Sequence, residues 1–167
     1  MVINKTMSKI RVKPWNRVDG PIYSLSTLAR GKRNLNICSY VTPVSMKPKR
    51  YIVGVYKGTK TLENLESNPV GILNFMTVEM AHLVNLLGKK SGHKIDKTKR
   101  LGDQVELTED GFAVLSKSLA TVRLKFTERI DGGDHWVWLA DAVSFENRNK
   151  IKPLTLDYLK RKKIILA

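Results

Sequence analysis

Cysteine is nearly absent: Cys38 stands alone in 167 residues, so no disulfide can form within the chain, and a reducing, cytoplasmic compartment is the expectation. No stretch approaches the roughly 18 consecutive apolar residues that a membrane-spanning helix requires. The opening MVINKTMSKIRVK is basic but lacks the apolar centre of a secretory signal. Several catalytic signatures are missing too. No Gly-x-Gly-x-x-Gly follows a predicted strand, Gly88-Lys89-Lys90-Ser91-Gly92 lacks P-loop spacing, and there is no Gly-x-Ser-x-Gly elbow. The three histidines, His82, His93 and His135, lie far apart and far from Cys38, which excludes metal-ligand spacing, so no metal site is expected. No carboxylate pair is placed for acid–base work, and neither repeats nor low-complexity segments occur.

Positive charge is what the chain has in excess. Thirty Lys and Arg oppose fifteen Asp and Glu, a formal charge of +15. The bases are scattered, from Lys5 to Lys13, Lys47 to Arg50, Lys89 to Arg100 and Lys160 to Lys163, and form no single stripe. Such a balance speaks to partners rather than to fold. A solvated basic surface, attraction of phosphorylated ligands and nucleic-acid binding all remain open on this count.

The patterning is that of strands. Asp19-Gly20-Pro21 signals a turn, and Ile22 to Leu28 is rich in β-formers. Arg30 to Arg33 turns the chain into a second strand, Asn34 to Tyr40, which Thr42-Pro43 should end because proline donates no N–H. Tyr51 to Tyr56 is apolar on both faces and reads as a buried strand. A short helix is expected over Lys60 to Ser67, capped by Thr59 or Thr61, with Leu62 and Leu65 facing inward. After Asn68-Pro69 comes another strand, Val70 to Met76. Met80, Leu83, Val84 and Leu87 then follow helical spacing up to a cap at Gly88. Lys89 to Asp103 reads as a mobile basic loop. Ala120, Val122, Leu124 and Phe126 alternate with polar residues, Asp131 to Asp134 forms a hairpin turn, and Trp136 to Phe145 returns. From Pro153 a basic, partly helical tail begins. About six short strands with two inserted helices predict a mainly β fold, a small antiparallel barrel with short helices.

The stretch from Asn34 to Asn74 joins two strands to a helix start, Lys57-Gly58-Thr59-Lys60-Thr61. The free N–H groups and positive dipole end of a helix make a ready anion site, to which Lys57, Lys60 and the threonine hydroxyls add charge and donors. The stretch suits a flat, phosphorylated aromatic ligand. Taken alone, each feature also has a plainer reading: a capped surface helix, a small buried Cys38, a strand-end His135.

Read together, these residues resemble the flavin reductase-like family of FMN-binding split β-barrels. The resemblance rests on Asn34…Ser39-Tyr40-Val41-Thr42-Pro43-Val44-Ser45, on Lys57-Gly58-Thr59-Lys60-Thr61…Asn64 and on Gly71-Ile72-Leu73-Asn74. Leu87-Gly88…Ser91-Gly92…Asp96-Lys97 and Gly133-Asp134-His135 add to it, so that it spans residues 22–145. It implies an antiparallel, Greek-key split barrel over 21–150, an N-terminal extension over 1–20, and a tail over 151–167 packed on the domain or on a dimer partner. It also implies a homodimer with one FMN per subunit at or near the interface. Asn36, Cys38, Ser39, Tyr40 and Thr42 would line the ring, while Lys57, Thr59, Lys60 and Thr61 would hold the phosphate. Asn74 would lie close by, and His135 near the flavin or across the interface. The family often has threonine where this chain has Ile37 and tryptophan where it has Tyr40.

The activity so implied is an FMN-dependent NAD(P)H:flavin oxidoreductase, with hydride passing from NADH or NADPH to flavin N5 and electrons moving on to an acceptor. Two other readings stay open. One is an FMN electron carrier that works with a redox partner protein and no nicotinamide. The other is a basic barrel that grips single-stranded nucleic acid by stacking, for which only Tyr23, Tyr40 and Tyr51 are available.

Overall fold

Strand-forming runs separated by tight turns build most of the molecule, and the computed structural model describes residues 13–165. The first twelve residues of the expected N-terminal extension and the last two of the tail lie outside them. In chain order the elements are β1 (Tyr23–Ala29), β2 (Lys32–Cys38), β3 (Val41–Ser45), β4 (Arg50–Tyr56), α1 (Lys60–Ser67), β5 (Val70–Phe75), α2 (Val84–Lys89) and α3 (Lys97–Leu101). They continue with β6 (Val105–Leu107), β7 (Ala113–Leu115), β8 (Ala120–Asp131), β9 (His135–Asn147) and α4 (Leu156–Arg161).

Seven strands form one antiparallel sheet in the order β2-β1-β5-β8-β9-β4-β3, and β6 and β7 make a separate hairpin. The sheet curls without closing, so β2 and β3 are its free edges, as a split barrel requires. The alternation read from Ala120 to Phe126 is the reason for the curl: Val122, Leu124 and Phe126 turn inward to meet Leu25, Val53, Leu73 and Ala140. β8 and β9 are offset by bulges at Arg123/Leu124 and Phe126/Glu128, which sharpen the bend of the long hairpin. A second core lies on the outer side of β1 and β2, where Leu35, Met76, Met80, Leu87 and Leu101 pack with Leu154 and Leu159 of the C-terminal segment. That segment is tied down by backbone bonds from Ile22 N to Leu154 O at 2.9 Å and from Leu154 N to Met76 O at 2.8 Å. Among the described residues no helix is long and apolar enough to cross a membrane.

Four local expectations change. Pro43 does not end a ladder; it sits inside β3, opposite Tyr51, on an edge strand whose outer side needs no N–H. Tyr51, Val53 and Val55 are buried but Ile52 and Gly54 only half so, which makes β4 half-buried rather than covered on both faces. The run from Met80 to Leu87 buries all four periodic residues, yet its first part, Val78–Leu83, is a 3₁₀ helix, and the α-helix runs one residue past Gly88. Finally, Lys89 to Asp103 is not a uniform surface loop. It contains α3, capped by Asp96, whose side chain accepts from Lys99 N at 3.2 Å.

Candidate functional site

The start of α1 is where side chains and backbone first converge. Thr59 is its N-cap: the hydroxyl accepts from Leu62 N at 3.3 Å and donates to Tyr56 O at 2.8 Å, leaving Thr61 to turn inward. Thr61 is fully buried, and its hydroxyl accepts from Asn34 Nδ2 at 2.9 Å, fixing α1 to β2. Lys60 pairs with Glu63, and that bond, followed by the charges of Lys60, His93 and Lys32, holds the Glu63 carboxyl below its usual range.

Between this helix start, Asn34 to Ile37 of β2 and the chain from Leu87 to Gly92 lies a polar cleft of about 320 Å³. Its walls carry three polar groups with bonding capacity to spare. The side-chain oxygens of Asn34 and Asn36 are buried and have no hydrogen-bond partner. The third group is Lys97, 3% exposed, whose ammonium donates to Leu35 O at 2.8 Å and Leu87 O at 2.7 Å. An ammonium has three N–H groups, so one is left over. With no carboxylate to offset burial, desolvation alone pushes the Lys97 pKa down to about 8. Gly92 closes the cleft on Asn34 so tightly that a Cβ there would stand 2.0 Å from the Asn34 amide oxygen.

A second, more apolar cleft of about 530 Å³ runs along Ser39 to Thr42, Ile52 and Gly54, and is closed by Gly132, Asp134, His135 and Val137. Gly54 is required here, because a Cβ would meet the Tyr40 Cβ at 2.9 Å. The His135 ring packs edge-on against Tyr40 and against Tyr56, each centroid 5.0 Å away, and Asp134 Oδ1 lies 2.6 Å from His135 Nδ1. Tyr56 lines the polar cleft and His135 the apolar one, so this aromatic trio joins the two. The segment from Asn36 to Thr42 borders both.

The residues expected at the site thus fall into three groups. Asn36, Thr59, Lys60 and Thr61 line the polar cleft, and Ser39, Tyr40, Thr42 and His135 the apolar one. Lys57, Cys38 and Asn74 line neither. Lys57 donates to Asp131 at 2.8 Å, holding that carboxyl below its usual range, and sits 4.9 Å over the Trp136 ring. Cys38 is buried in the barrel core, where burial pushes its thiol up to about 12. Asn74, fully buried, donates to Ser24 O and Ile72 O and accepts from Leu115 N and Ser118 Oγ; no bonding capacity is left over. Lys97 and Gly92 were not among the expected site residues, although both belong to the strings that carried the resemblance. Of the three tyrosines open to a stacking role, Tyr23 and Tyr51 are buried and only Tyr40 is exposed.

Comparison with known proteins bears on the family and the fold. The family model for the flavin reductase like domain matches residues 15–164. Among solved structures, an FMN-binding protein from Thermus thermophilus is 19% identical with a TM-score of 0.73, covering 89% of this chain and 81% of its own. Flavoredoxin from Methanosarcina acetivorans is 21% identical with a TM-score of 0.72, the coverage being 90% and 81%. An NADH:FAD oxidoreductase from Streptomyces globisporus is 13% identical with a TM-score of 0.76, covering 84% of this chain and 82% of its own. At such identities the likeness shows the fold. No curated protein matches the sequence.

Proposed function

The chain belongs to the flavin reductase-like family, and from that premise we propose that it is an FMN-dependent flavin oxidoreductase that draws electrons from NADH or NADPH. The observation that carries this reading is the polar cleft. Two buried amide oxygens without donors and a buried ammonium without an anion are costly to leave unmatched. A ribityl phosphate offers hydroxyl donors for Asn34 and Asn36 and negative charge for Lys97 and the α1 N-terminus. Both amide oxygens are covered by their neighbours, so a ligand reaches them only when the Asn34 and Asn36 side chains turn.

The work of the side chains is binding, orientation and exclusion of water; a flavin, when bound, supplies two-electron redox chemistry. Thr59 and Lys60 set the phosphate end. The backbone from Asn36 to Thr42 would hold the flat ring, while Gly54 lets Tyr40 seat closely and His135, gripped between Tyr40 and Tyr56, would bound its apolar end. No side chain is asked to act as an acid or base.

The exposed apolar residues on and flanking β3, Tyr40, Val44 and Met46, favour a second copy of the chain packed there. We therefore take the working unit as a homodimer with the cofactor near the interface.

The deciding experiment is the absorbance spectrum of the purified protein after incubation with FMN and desalting. Flavin bands that bleach anaerobically on addition of NADH or NADPH are the expected result. Flavin bands that neither nucleotide bleaches would assign an electron carrier served by a protein partner. A colourless protein would overturn the flavin reading altogether.

A further inference from the structure

Beyond the polar cleft, on the far side of Lys60 and Gly92, lies a recess of about 280 Å³ whose walls include Lys32, Arg33, His93, Lys94 and Asp96. Lys60 and Gly92 line both spaces, so the two share a wall. We propose that this recess is a second anion subsite, which takes the outer phosphate of a diphosphate-bearing nucleotide whose inner phosphate occupies the polar cleft. This rests on the flavin reading given above.

Three features carry it. Charge comes first: Lys32, Arg33, Lys60 and Lys94 converge, and among the described residues Lys32, Arg33 and Lys94 make no ion pair. Arg33 is held in place by donating from Nε to Gly111 O at 2.6 Å. The negative groups nearby are already engaged: Asp96 accepts from Thr98 Oγ1 at 2.5 Å and from Lys99 N at 3.2 Å, and Glu63 is bonded to Lys60. Lys32, Arg33, Lys60 and Lys94 outnumber the carboxylates of Asp96 and Glu63, so the recess keeps a net positive charge, which the Glu63 carboxyl feels through Lys60, His93 and Lys32.

The second feature is adjacency. The two phosphorus atoms of a diphosphate share one bridging oxygen, so a subsite for the outer phosphate must abut the first subsite, and a shared wall of one lysine and one glycine satisfies that. Thirdly, Gly92 lies against the buried Asn34 amide oxygen. It has no side chain to partition the two spaces, and Asn34 leaves no room for one. A monophosphate fills the first space alone, whereas a dinucleotide fills both. The diphosphate is that of FAD, because the flavin's own phosphate fills the polar cleft that the inner phosphate of a nicotinamide dinucleotide would need.

The test uses the full-length protein freed of flavin, in about 0.15 M salt so that long-range attraction is screened. FMN, FAD and NADH are compared on the native chain and on Lys32→Ala/Lys94→Ala, two exposed positions whose change leaves the fold intact. A loss of about tenfold or more in FAD affinity, with FMN affinity altered less than about twofold, supports the subsite and assigns it to a flavin dinucleotide. A comparable rise in KM for NADH with both flavin affinities unchanged overturns the subsite as a flavin diphosphate site and leaves the recess as an approach surface for the nicotinamide donor. If FMN binds and none of the three quantities moves, the subsite is overturned while the flavin reading stands. If neither protein binds any flavin, both fall together.

Discussion

A single buried ammonium, that of Lys97, gives the site its most direct test. Burial lowers its pKa from the ordinary 10.5 to about 8, so between those values the unfolded chain holds a proton that the folded chain has released. Stability then rises with pH across that window as far as this group is concerned. Anion binding has the opposite sign, since it needs the proton: affinity for FMN should fall as pH climbs through about 8. Lys97→Met should flatten both trends, read by denaturant unfolding and by flavin titration at matched pH values. A lysine that merely tied Leu35 O to Leu87 O would show the stability trend without the affinity trend. Nothing in the one-letter sequence marks this lysine as buried, because it stands in a run of charged residues and part of its cover comes from Leu35 of β2, 62 residues away in the chain. Cys38 was easier to read, since a small apolar side chain in an alternating strand is buried by default.

Among the elements, α1 was legible in its bounds and the loop after α2 was not. The bounds Lys60–Ser67 and the inward Leu62 and Leu65 follow from local chemistry, helical spacing and then Asn68-Pro69, whereas two hydroxyls left the cap open between Thr59 and Thr61 until the fold placed it at Thr59. The loop obeys no such local rule, being shaped by what it presses against. Gly92 illustrates this, for only the fold shows that a methyl group there would stand 2.0 Å from the Asn34 amide oxygen. Gly92→Ala should push that amide or the loop aside and weaken FMN binding about tenfold, or about 1.4 kcal/mol. The melting temperature should move by no more than about 3 °C, because the strain falls in a half-exposed loop away from both cores. Adding Asn34→Ala removes the obstruction, so the double variant should lose less affinity than the two single losses summed. Strict additivity, measured by titration and scanning calorimetry, would show that the pair does not act through this contact.

At the level of the whole molecule, the mainly β class and the hairpins were readable because period-two alternation and turn residues act locally. The sheet order was not, since β1 against β5 and β4 against β9 join strands remote in sequence; the resemblance supplied the split-barrel class but not the order of its strands. An open sheet leaves an edge at β3, and edges invite partners unless blunted. Pro43 blunts this one against further strand pairing, yet at its two ends Tyr40 is 66% exposed and Met46 87%, more apolar surface than a solitary edge would keep. Side-chain packing of a second copy, related by a two-fold axis, resolves both facts, since it covers the apolar groups without needing a backbone ladder. The native chain should therefore sediment as a dimer, and Val44→Asp/Met46→Asp should shift it to monomer. Flavin affinity should fall with the shift if the cofactor lies near that interface. Val143→Asp/Phe145→Asp, on exposed residues at the other end of β9, serves as the comparison. Should that pair dissociate the dimer while the first leaves it whole, the interface belongs to the β8–β9 end; a monomeric native chain would remove the dimer from the proposal.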